Sequence, residues 1–175
     1  MNEKKLILFV DSGDTFIDES TEIRDERGIV VDAQLFPGAA QALRTLHEMG
    51  YTIALVADGE VESFDNMYAL HGLSDCFDAR AISQALGGRK PARIMFQAAM
   101  DALSLTDADK PRIVMMGNNL KRDMVGANRF GIRSILIDRS PRYDMQPHTE
   151  EEIPTYIIHT HDELVPLIER LNAAL

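Results

Sequence analysis

Residues 7–17 read ILFVDSGDTFI, an apolar run that stops at Asp11 and is followed by a second acid, Asp14. The four apolar residues before Asp11 are typical of a β-strand that is buried on both faces. Acids and a glycine directly after such a strand form either a tight turn or a polar site. The residues that follow the other strands of the chain decide between these two interpretations.

Strand and helix patterns alternate along the whole chain. Continuous apolar runs predict strands over 5–10, 51–57, 112–117 and 133–138, with a weaker strand over 77–83 and a short edge strand over 155–159. Apolar residues at helical spacing predict helices over 38–49, 91–103 and 161–174. Thr160 and Glu163 match a capping box at the start of the last helix. The alternation predicts an α/β fold with a three-layer, doubly wound, Rossmann-like parallel sheet in one domain over residues 1–175.

Polar residues follow three of the predicted strands. They occur in DSGDT (11–15), in ADGE (57–60) and in GNNLKRD (117–123). Because parallel sheets bind ligands at the carboxyl ends of their strands, these three loops predict a single site at one edge of the sheet. The sequence contains neither GxGxxG nor GxxxxGK[ST], so nothing supports a dinucleotide site or a P-loop.

Composition restricts the class of partner. The 175 residues carry a formal net charge of −10, which argues against nucleic acid or an anionic membrane surface as partner. No apolar stretch approaches the roughly 20 residues of a membrane span, and the N-terminal apolar run is too short for a signal peptide. The single cysteine, Cys76, cannot form an internal disulfide and is expected to be a small buried residue. A cytoplasmic location is therefore expected.

Two polar stretches lie outside the strand and helix patterns. Residues 18–38 contain turn signals and predict a small hairpin that could cover the site as a flap. Residues 138–154 are interpreted as a mostly solvated surface loop. His148, His159 and His161 are expected at the surface, and the spacing of the last two is not accompanied by the further ligands that a zinc site needs.

The strand ends resemble those of the haloacid dehalogenase (HAD) superfamily of phosphatases and related hydrolases. Four motifs occur in the order that the superfamily has them. They are Asp11 with Thr15, the loop after TIALVA, Lys90 followed by Pro91, and the stretch VMMGNNLKRDMVGANRFGI. The resemblance covers nearly the whole chain.

The resemblance implies a set of roles. Asp11 would be the nucleophile that attacks phosphorus, and Lys90 would screen the phosphoryl charge. Mg²⁺ would be held by Asp11, the carbonyl of Gly13, Asn118 and Asp123. The residues expected to bind substrate are Asp58, Gly59 and Asn119, although Asp58 and Asn119 are also interpretable as structural loop residues.

Three positions depart from the superfamily pattern. The usual second aspartate, which protonates the leaving group, is Gly13 here, and Asp14 follows it. Asp14 either replaces that proton donor or forms the turn. The hydroxyl residue that binds phosphoryl oxygens is Ala57, and an acid of the last motif is Asn118. A neutral amide weakens a cation site through the lost charge.

The leading prediction is a HAD-like hydrolase without a large cap, since neither 18–38 nor the segment from Asp58 to Lys90 has room for one. We expect a magnesium-dependent phosphatase that acts on a phosphorylated small molecule or macromolecule. Its site is expected to be open, and a second copy of the chain could close it. One alternative is a catalytically silent HAD fold used for binding or regulation. A weaker alternative is a dehalogenase-like hydrolase.

Overall fold

A six-stranded parallel sheet forms the centre of the structure, a computed structural model that describes residues 5–139 and 142–175. Its strands lie in the order β5-β4-β1-β6-β7-β8, so the strand of the opening motif is flanked by β4 and β6. A separate two-stranded antiparallel hairpin is made of β2 and β3. The strands are β1 (Ile7–Val10), β2 (Ile17–Arg24), β3 (Val30–Leu35), β4 (Thr52–Ala57), β5 (Ala79–Ile82), β6 (Ile113–Gly117), β7 (Arg133–Ile137) and β8 (Tyr156–Ile158).

Six α-helices accompany these strands within the described residues. They are α1 (Ala39–Glu48), α2 (Val61–Leu70), α3 (Ser83–Leu86), α4 (Arg93–Ala102), α5 (Val125–Phe130) and α6 (Leu164–Ala173). No helix among the described residues is both long enough and apolar enough to cross a membrane.

Strand β1 shows why a continuous apolar run is needed at the centre of the sheet. Leu8 and Val10 pack on one side, in a cluster with residues of α1, α2 and α6, whereas Ile7 and Phe9 pack on the other side against α4 and α5. Successive side chains of a strand point to opposite faces, so a strand covered on both faces requires apolar residues at every position. The predicted three-layer α/β fold is confirmed.

The hairpin lies where the sequence predicts a flap, between β1 and α1. It packs on α2, because the Val30 amide donates to the Ser63 hydroxyl at 3.1 Å and the Asn66 side chain donates to the Val30 carbonyl at 3.0 Å. Its inner end contacts the loop after β1, where the Phe36 amide donates to the Phe16 carbonyl. The hairpin is thereby anchored beside the carboxyl end of the central strand.

Most predicted boundaries agree with the structure to within two or three residues. The capping box of Thr160 and Glu163 is present, and it precedes a 3-10 turn that leads into α6. Cys76 is buried, as expected. The prediction that residues 138–154 form a solvated loop holds for most of its described part, although Tyr143 is partly buried and Glu152 fully so.

The expected surface position of His161 is wrong, whereas His148 and His159 are exposed. The His161 side chain is only 1% exposed, its ring lies 5.1 Å from the Phe16 ring, and its Nε2 donates to the Thr15 carbonyl at 2.8 Å. The capped 3-10 turn before α6 directs this side chain inward, onto the loop after β1. Burial and the nearby Arg139 guanidinium lower the pKa of His161 to about 4.

We predict that this buried histidine makes the protein less stable in mild acid. The unfolded chain takes up a proton near pH 6.5 and the folded chain only near pH 4, so stability is full above pH 6.5 and falls as the pH drops through this window. Between pH 7 and pH 5 the loss amounts to about 2 kcal/mol. Urea unfolding of the unsubstituted chain and of His161→Gln at both pH values measures it. If His161→Gln loses as much unfolding free energy between pH 7 and pH 5 as the unsubstituted chain, the loss does not come from His161.

Candidate active site

Three adjacent strands deliver polar residues to one edge of the sheet. Asp11 follows β1, Asp58 follows β4 and Asn118 follows β6. All three side chains line one small cavity together with Lys90 and Asp123. The three strand ends therefore meet at one cavity at the carboxyl edge of the sheet, where the sequence predicts a single site.

Lys90 joins the two central carboxylates. Its ammonium donates to Asp11 Oδ1 at 2.6 Å and to Asp123 Oδ1 at 2.7 Å, and all three residues are buried. Burial alone would lower the pKa of Lys90, but the negative charges of Asp11, Asp123 and Asp58 outweigh it and raise that pKa above its usual value. Lys90 is therefore a permanent cation between two acids.

The Asp123 carboxylate accepts two hydrogen bonds, and the backbone of Gly117 lies close to it. Its Oδ2 accepts from the Asn119 amide at 3.0 Å while Oδ1 accepts from Lys90. Burial raises the pKa of Asp123, and the charge of Lys90 offsets this only in part. A Cβ on Gly117 would lie 2.2 Å from Asp123 Oδ2, so only glycine fits at the end of β6.

Thr15 connects Asp11 to Asn118. Its hydroxyl lies 2.9 Å from Asp11 Oδ2 and 3.4 Å from Asn118 Oδ1. The Asn118 Nδ2 atom is buried and has no hydrogen-bond partner among the described residues. Asp11 thus has one oxygen bound to an ammonium group and the other to a hydroxyl, which orients its carboxylate into the cavity.

Glu19 of the hairpin occupies the space that a side chain on residue 13 would take. A Cβ on Gly13 would lie 1.8 Å from Glu19 Oε1 and 2.8 Å from its carboxyl carbon. Glu19 and Gly13 both line the cavity that contains Asp11. Burial and the neighbouring Asp14 raise the pKa of Glu19, and its ion pair with Arg142 offsets part of that shift.

Asp14 forms the turn at the base of the hairpin. Its backbone is left-handed at φ 51°, and its amide donates to the Ile17 carbonyl at 2.7 Å. The carboxylate accepts from the Glu19 amide at 3.2 Å and pairs with Arg142 at 2.8 Å. Asp14 is not among the described residues that line the cavity around Asp11. This geometry matches the turn-forming alternative of the sequence analysis.

The three residues expected to bind substrate have structural partners. Asp58 Oδ1 accepts from the Lys90 amide at 3.0 Å, and its Oδ2 lies 3.7 Å from the Arg122 guanidinium. The Gly59 amide is bound to the Ser83 hydroxyl at 2.9 Å. The Asn119 side chain accepts from the Arg122 amide at 3.0 Å and caps the π-helical turn before α5. Asp58 and Asn119 nevertheless line the cavity around Asp11.

The small cavity, of about 30 Å³, continues into a larger one of about 260 Å³ beneath the hairpin. Both are lined by Gly13, Glu19, Asp58, Arg122 and Tyr143. Three arginines (Arg24, Arg89 and Arg122) and four acids (Glu19, Glu22, Asp58 and Glu60) line the larger cavity. A ligand in the larger cavity would meet charges of both signs there and reach Asp11 through the shared part.

Three residues of this site were not identified from the sequence. Arg122 lies between the two recognised positions Asn119 and Asp123, and Tyr143 lies in the loop that was interpreted as solvated. Arg122 Nη2 donates to the Tyr143 hydroxyl at 3.0 Å. The sequence does contain a signal for Glu19. It lies two positions after the buried Ile17 on β2, so the two side chains point to the same face of the strand.

The donor set at the edge suits a hard cation. Asp11, Asp123, the Asn118 amide and the Gly13 carbonyl offer only oxygen, which is the chemistry that Mg²⁺ prefers. Among the described residues, no group of three or more His, Cys, Asp or Glu side chains is placed to hold a metal ion. Four acids and two bases line the small cavity, so its net negative charge would repel a phosphate unless a cation offset it.

Comparison with known proteins relates this sequence to a family of hydrolases. The family model described as haloacid dehalogenase-like hydrolase matches residues 12–137. A glyceraldehyde 3-phosphate phosphatase from Methanopyrus kandleri is 28% identical over 137 residues, which are 78% of this chain and 57% of that protein. A phosphoglycolate phosphatase from Cereibacter sphaeroides is 29% identical over 143 residues, which are 79% of this chain and 60% of that protein. The chain thus spans somewhat more than half the length of these relatives.

The fold has counterparts among solved structures. A HAD-superfamily hydrolase from Ehrlichia chaffeensis superposes with a TM-score of 0.72 at 16% identity, over 96% of this chain and 98% of that one. At this identity the likeness concerns the fold alone.

We predict that the Lys90 ion pairs are needed for stability. Lys90→Met would leave two buried carboxylates without their cation and destabilise the protein by about 3–5 kcal/mol at neutral pH. The matched control is Lys110→Met, because Lys110 pairs with the largely exposed Asp107. The control is expected to cost less than about 1 kcal/mol. Urea unfolding in metal-free buffer measures both, and equal small losses would contradict the prediction.

Proposed function

Because the chain belongs to the haloacid dehalogenase-like hydrolase family, we propose that it is a magnesium-dependent phosphatase with Asp11 as its nucleophile. The observation that carries the proposal is the placement of Asp11 at the end of the central strand, with its carboxylate fixed by Lys90 and Thr15 inside a polar cavity. The relatives named above as phosphatases support the reaction class.

The proposed reaction begins at the Asp11 carboxylate. One of its oxygens attacks phosphorus, the bond from phosphorus to the ester oxygen breaks, and an aspartyl phosphate forms with release of the alcohol. Water then attacks the phosphorus of this acyl phosphate and releases inorganic phosphate, which regenerates Asp11. Since Asp11 is bound on both oxygens, it is oriented before substrate arrives, which lowers the entropic cost of the attack.

Two cations of the chain would stabilise the transferring phosphoryl group. Lys90 is buried and already touches Asp11, so its charge lies where negative charge accumulates in the transition state. Arg122 borders both cavities and could bind an anionic group of the substrate, because its guanidinium suits phosphate and carboxylate oxygens. Asp58 would hold Lys90 and Arg122 in place through their contacts with its carboxylate.

Asp11, Asp123, Asn118 and the Gly13 carbonyl are the residues that would hold Mg²⁺. When bound, the ion would offset the repulsion between these acids and an anionic phosphate. The neutral Asn118 supplies an oxygen without a charge, so we expect weaker magnesium binding than three carboxylates would give.

The substrate class that we propose is a small phosphate monoester. The larger cavity, of about 260 Å³, accommodates a few non-hydrogen atoms beyond the phosphate, and its charged lining favours a polar substituent that can both donate and accept hydrogen bonds. The named substrates of the relatives, glyceraldehyde 3-phosphate and phosphoglycolate, have this size.

The second candidate, a silent HAD fold used for binding, is favoured by one observation. Gly13 has no side chain to protonate a leaving group, and Ala57 has no hydroxyl for a phosphoryl oxygen. This candidate predicts a folded chain that hydrolyses no member of a broad phosphate panel in the presence of Mg²⁺.

We predict that the chain hydrolyses 4-nitrophenyl phosphate only with Mg²⁺, and that Asp11→Asn abolishes turnover because the amide cannot attack phosphorus. EDTA should stop the reaction and added Mg²⁺ should restore it. Asp75→Asn is the matched control, since Asp75 is exposed and distant from the cavity. Unchanged turnover by Asp11→Asn would overturn the nucleophile, and no turnover of any panel member by the unsubstituted chain would overturn the proposed function.

A further inference from the structure

We propose that Glu19, which reaches the site from the hairpin, is the proton donor to the leaving oxygen of the substrate. The inference rests on the proposed phosphatase function. In this proposal, the hairpin supplies the catalytic carboxyl group that Gly13, which has no side chain, cannot supply.

The position of Glu19 carries the proposal. Its Oε1 lies where a side chain on Gly13 would begin, two residues along the chain from Asp11, and both residues line the cavity around Asp11. Its Oε2 pairs with Arg142 at 2.7 Å, which leaves Oε1 as the oxygen directed over Gly13. The carboxyl group of Glu19 therefore occupies the volume in which a side chain on residue 13 would begin.

The base of the hairpin fixes this position. The Glu19 amide donates to Asp14 Oδ1 at 3.2 Å, and Arg142 bridges the carboxylates of Asp14 and Glu19. Asp14 itself is set by its left-handed turn. Gly13 thus leaves room for Glu19, and Asp14 orients Glu19 in that space.

The other acids of the cavity are committed to different contacts. Asp123 accepts from Lys90 and from the Asn119 amide. Asp58 accepts from the Lys90 amide on Oδ1, and its Oδ2 lies beside the Arg122 guanidinium at 3.7 Å rather than over Gly13. The Tyr143 hydroxyl accepts from Arg122. Asp11 is the nucleophile in the proposed reaction. Glu19 is the remaining carboxyl group that lines the cavity.

The protons balance over the two steps. When Asp11 attacks phosphorus and the ester bond breaks, the leaving oxygen takes the proton of Glu19 and departs as an alcohol. The Glu19 carboxylate then takes a proton from the water that attacks the aspartyl phosphate. Phosphate is released, and both Asp11 and Glu19 return to their starting states.

Leaving groups of different basicity test the assignment. An alkoxide needs a proton to depart, whereas 4-nitrophenolate departs without one. We expect Glu19→Gln to lower kcat/KM, which reports the steps up to release of the alcohol, for the best substrate of an alkyl phosphate panel, including 2-phosphoglycolate, by about 10²–10⁴-fold. With 4-nitrophenyl phosphate the loss of kcat/KM should stay below about tenfold. Glu26→Gln, an exposed residue in the turn of the same hairpin, is the matched control and should change neither rate.

A relocated carboxyl group provides a second test. Gly13 has no left-handed backbone, so an aspartate is conformationally allowed there once Glu19 is shortened. The double variant Gly13→Asp with Glu19→Ala should hydrolyse alkyl phosphates faster than Glu19→Ala alone. A double variant no faster than Glu19→Ala would contradict the placement of the proton donor in this volume.

The outcomes separate the two proposals. Equal losses of kcat/KM by Glu19→Gln on both substrate types, or no loss on either, would overturn the role of Glu19 and leave the phosphatase proposal intact. So would an unsubstituted chain that hydrolyses aryl phosphates but no alkyl phosphate. An unsubstituted chain that hydrolyses neither type would overturn the proposed function, and the role of Glu19 with it.

Discussion

The Lys90 ammonium, buried between the carboxylates of Asp11 and Asp123, is the interaction on which the rest of the site depends. Two ionised acids are costly to bury side by side without a cation, because burial costs several kcal/mol for each ion and their mutual repulsion adds to this. Lys90 satisfies this constraint with bonds of 2.6 and 2.7 Å. Its own position is fixed by Asp58, which accepts from its backbone amide, so three loops of the sheet edge are tied to this one residue.

The departures from the superfamily pattern are connected through the hairpin. Gly13 leaves a volume beside Asp11, and the carboxyl group of Glu19 fills it. Asp14 holds the Glu19 amide, and the same Asp14 turn begins the hairpin. Taken one at a time, Gly13 and Asp14 look like losses of function. In the folded chain they allow a residue from a different element to enter the site.

The fold was predictable because its signals are local. The apolar runs before Asp11, Asp58 and Asn118 indicate strands that are covered on both faces. The polar residues that follow these runs indicate a shared edge of a parallel sheet. Lys90 was recognised from its place before a helix-starting proline. These features depend on periodicity and on the order of motifs, both of which a single sequence displays.

The remaining features depend on contacts between distant segments. Glu19 reaches Gly13 only because the hairpin folds back, and Arg122 meets Tyr143 across 21 positions. His161 is buried because the 3-10 turn that precedes α6 packs against the loop after β1, which the polar residues around His161 in the sequence do not indicate. The placement of Asp14, which the sequence left between two roles, follows from its bonds to Glu19 and Arg142.

The central claim is that Asp11 takes the phosphoryl group from the substrate. The most direct measurement is to mix the protein with Mg²⁺ and a phosphoryl-labelled substrate, quench with acid during turnover, and locate the label by peptide mapping. The label is predicted on the peptide that contains Asp11, and hydroxylamine should release it because it is held as an acyl phosphate. Turnover with no label on the protein, or with the label on another residue, would contradict the claim.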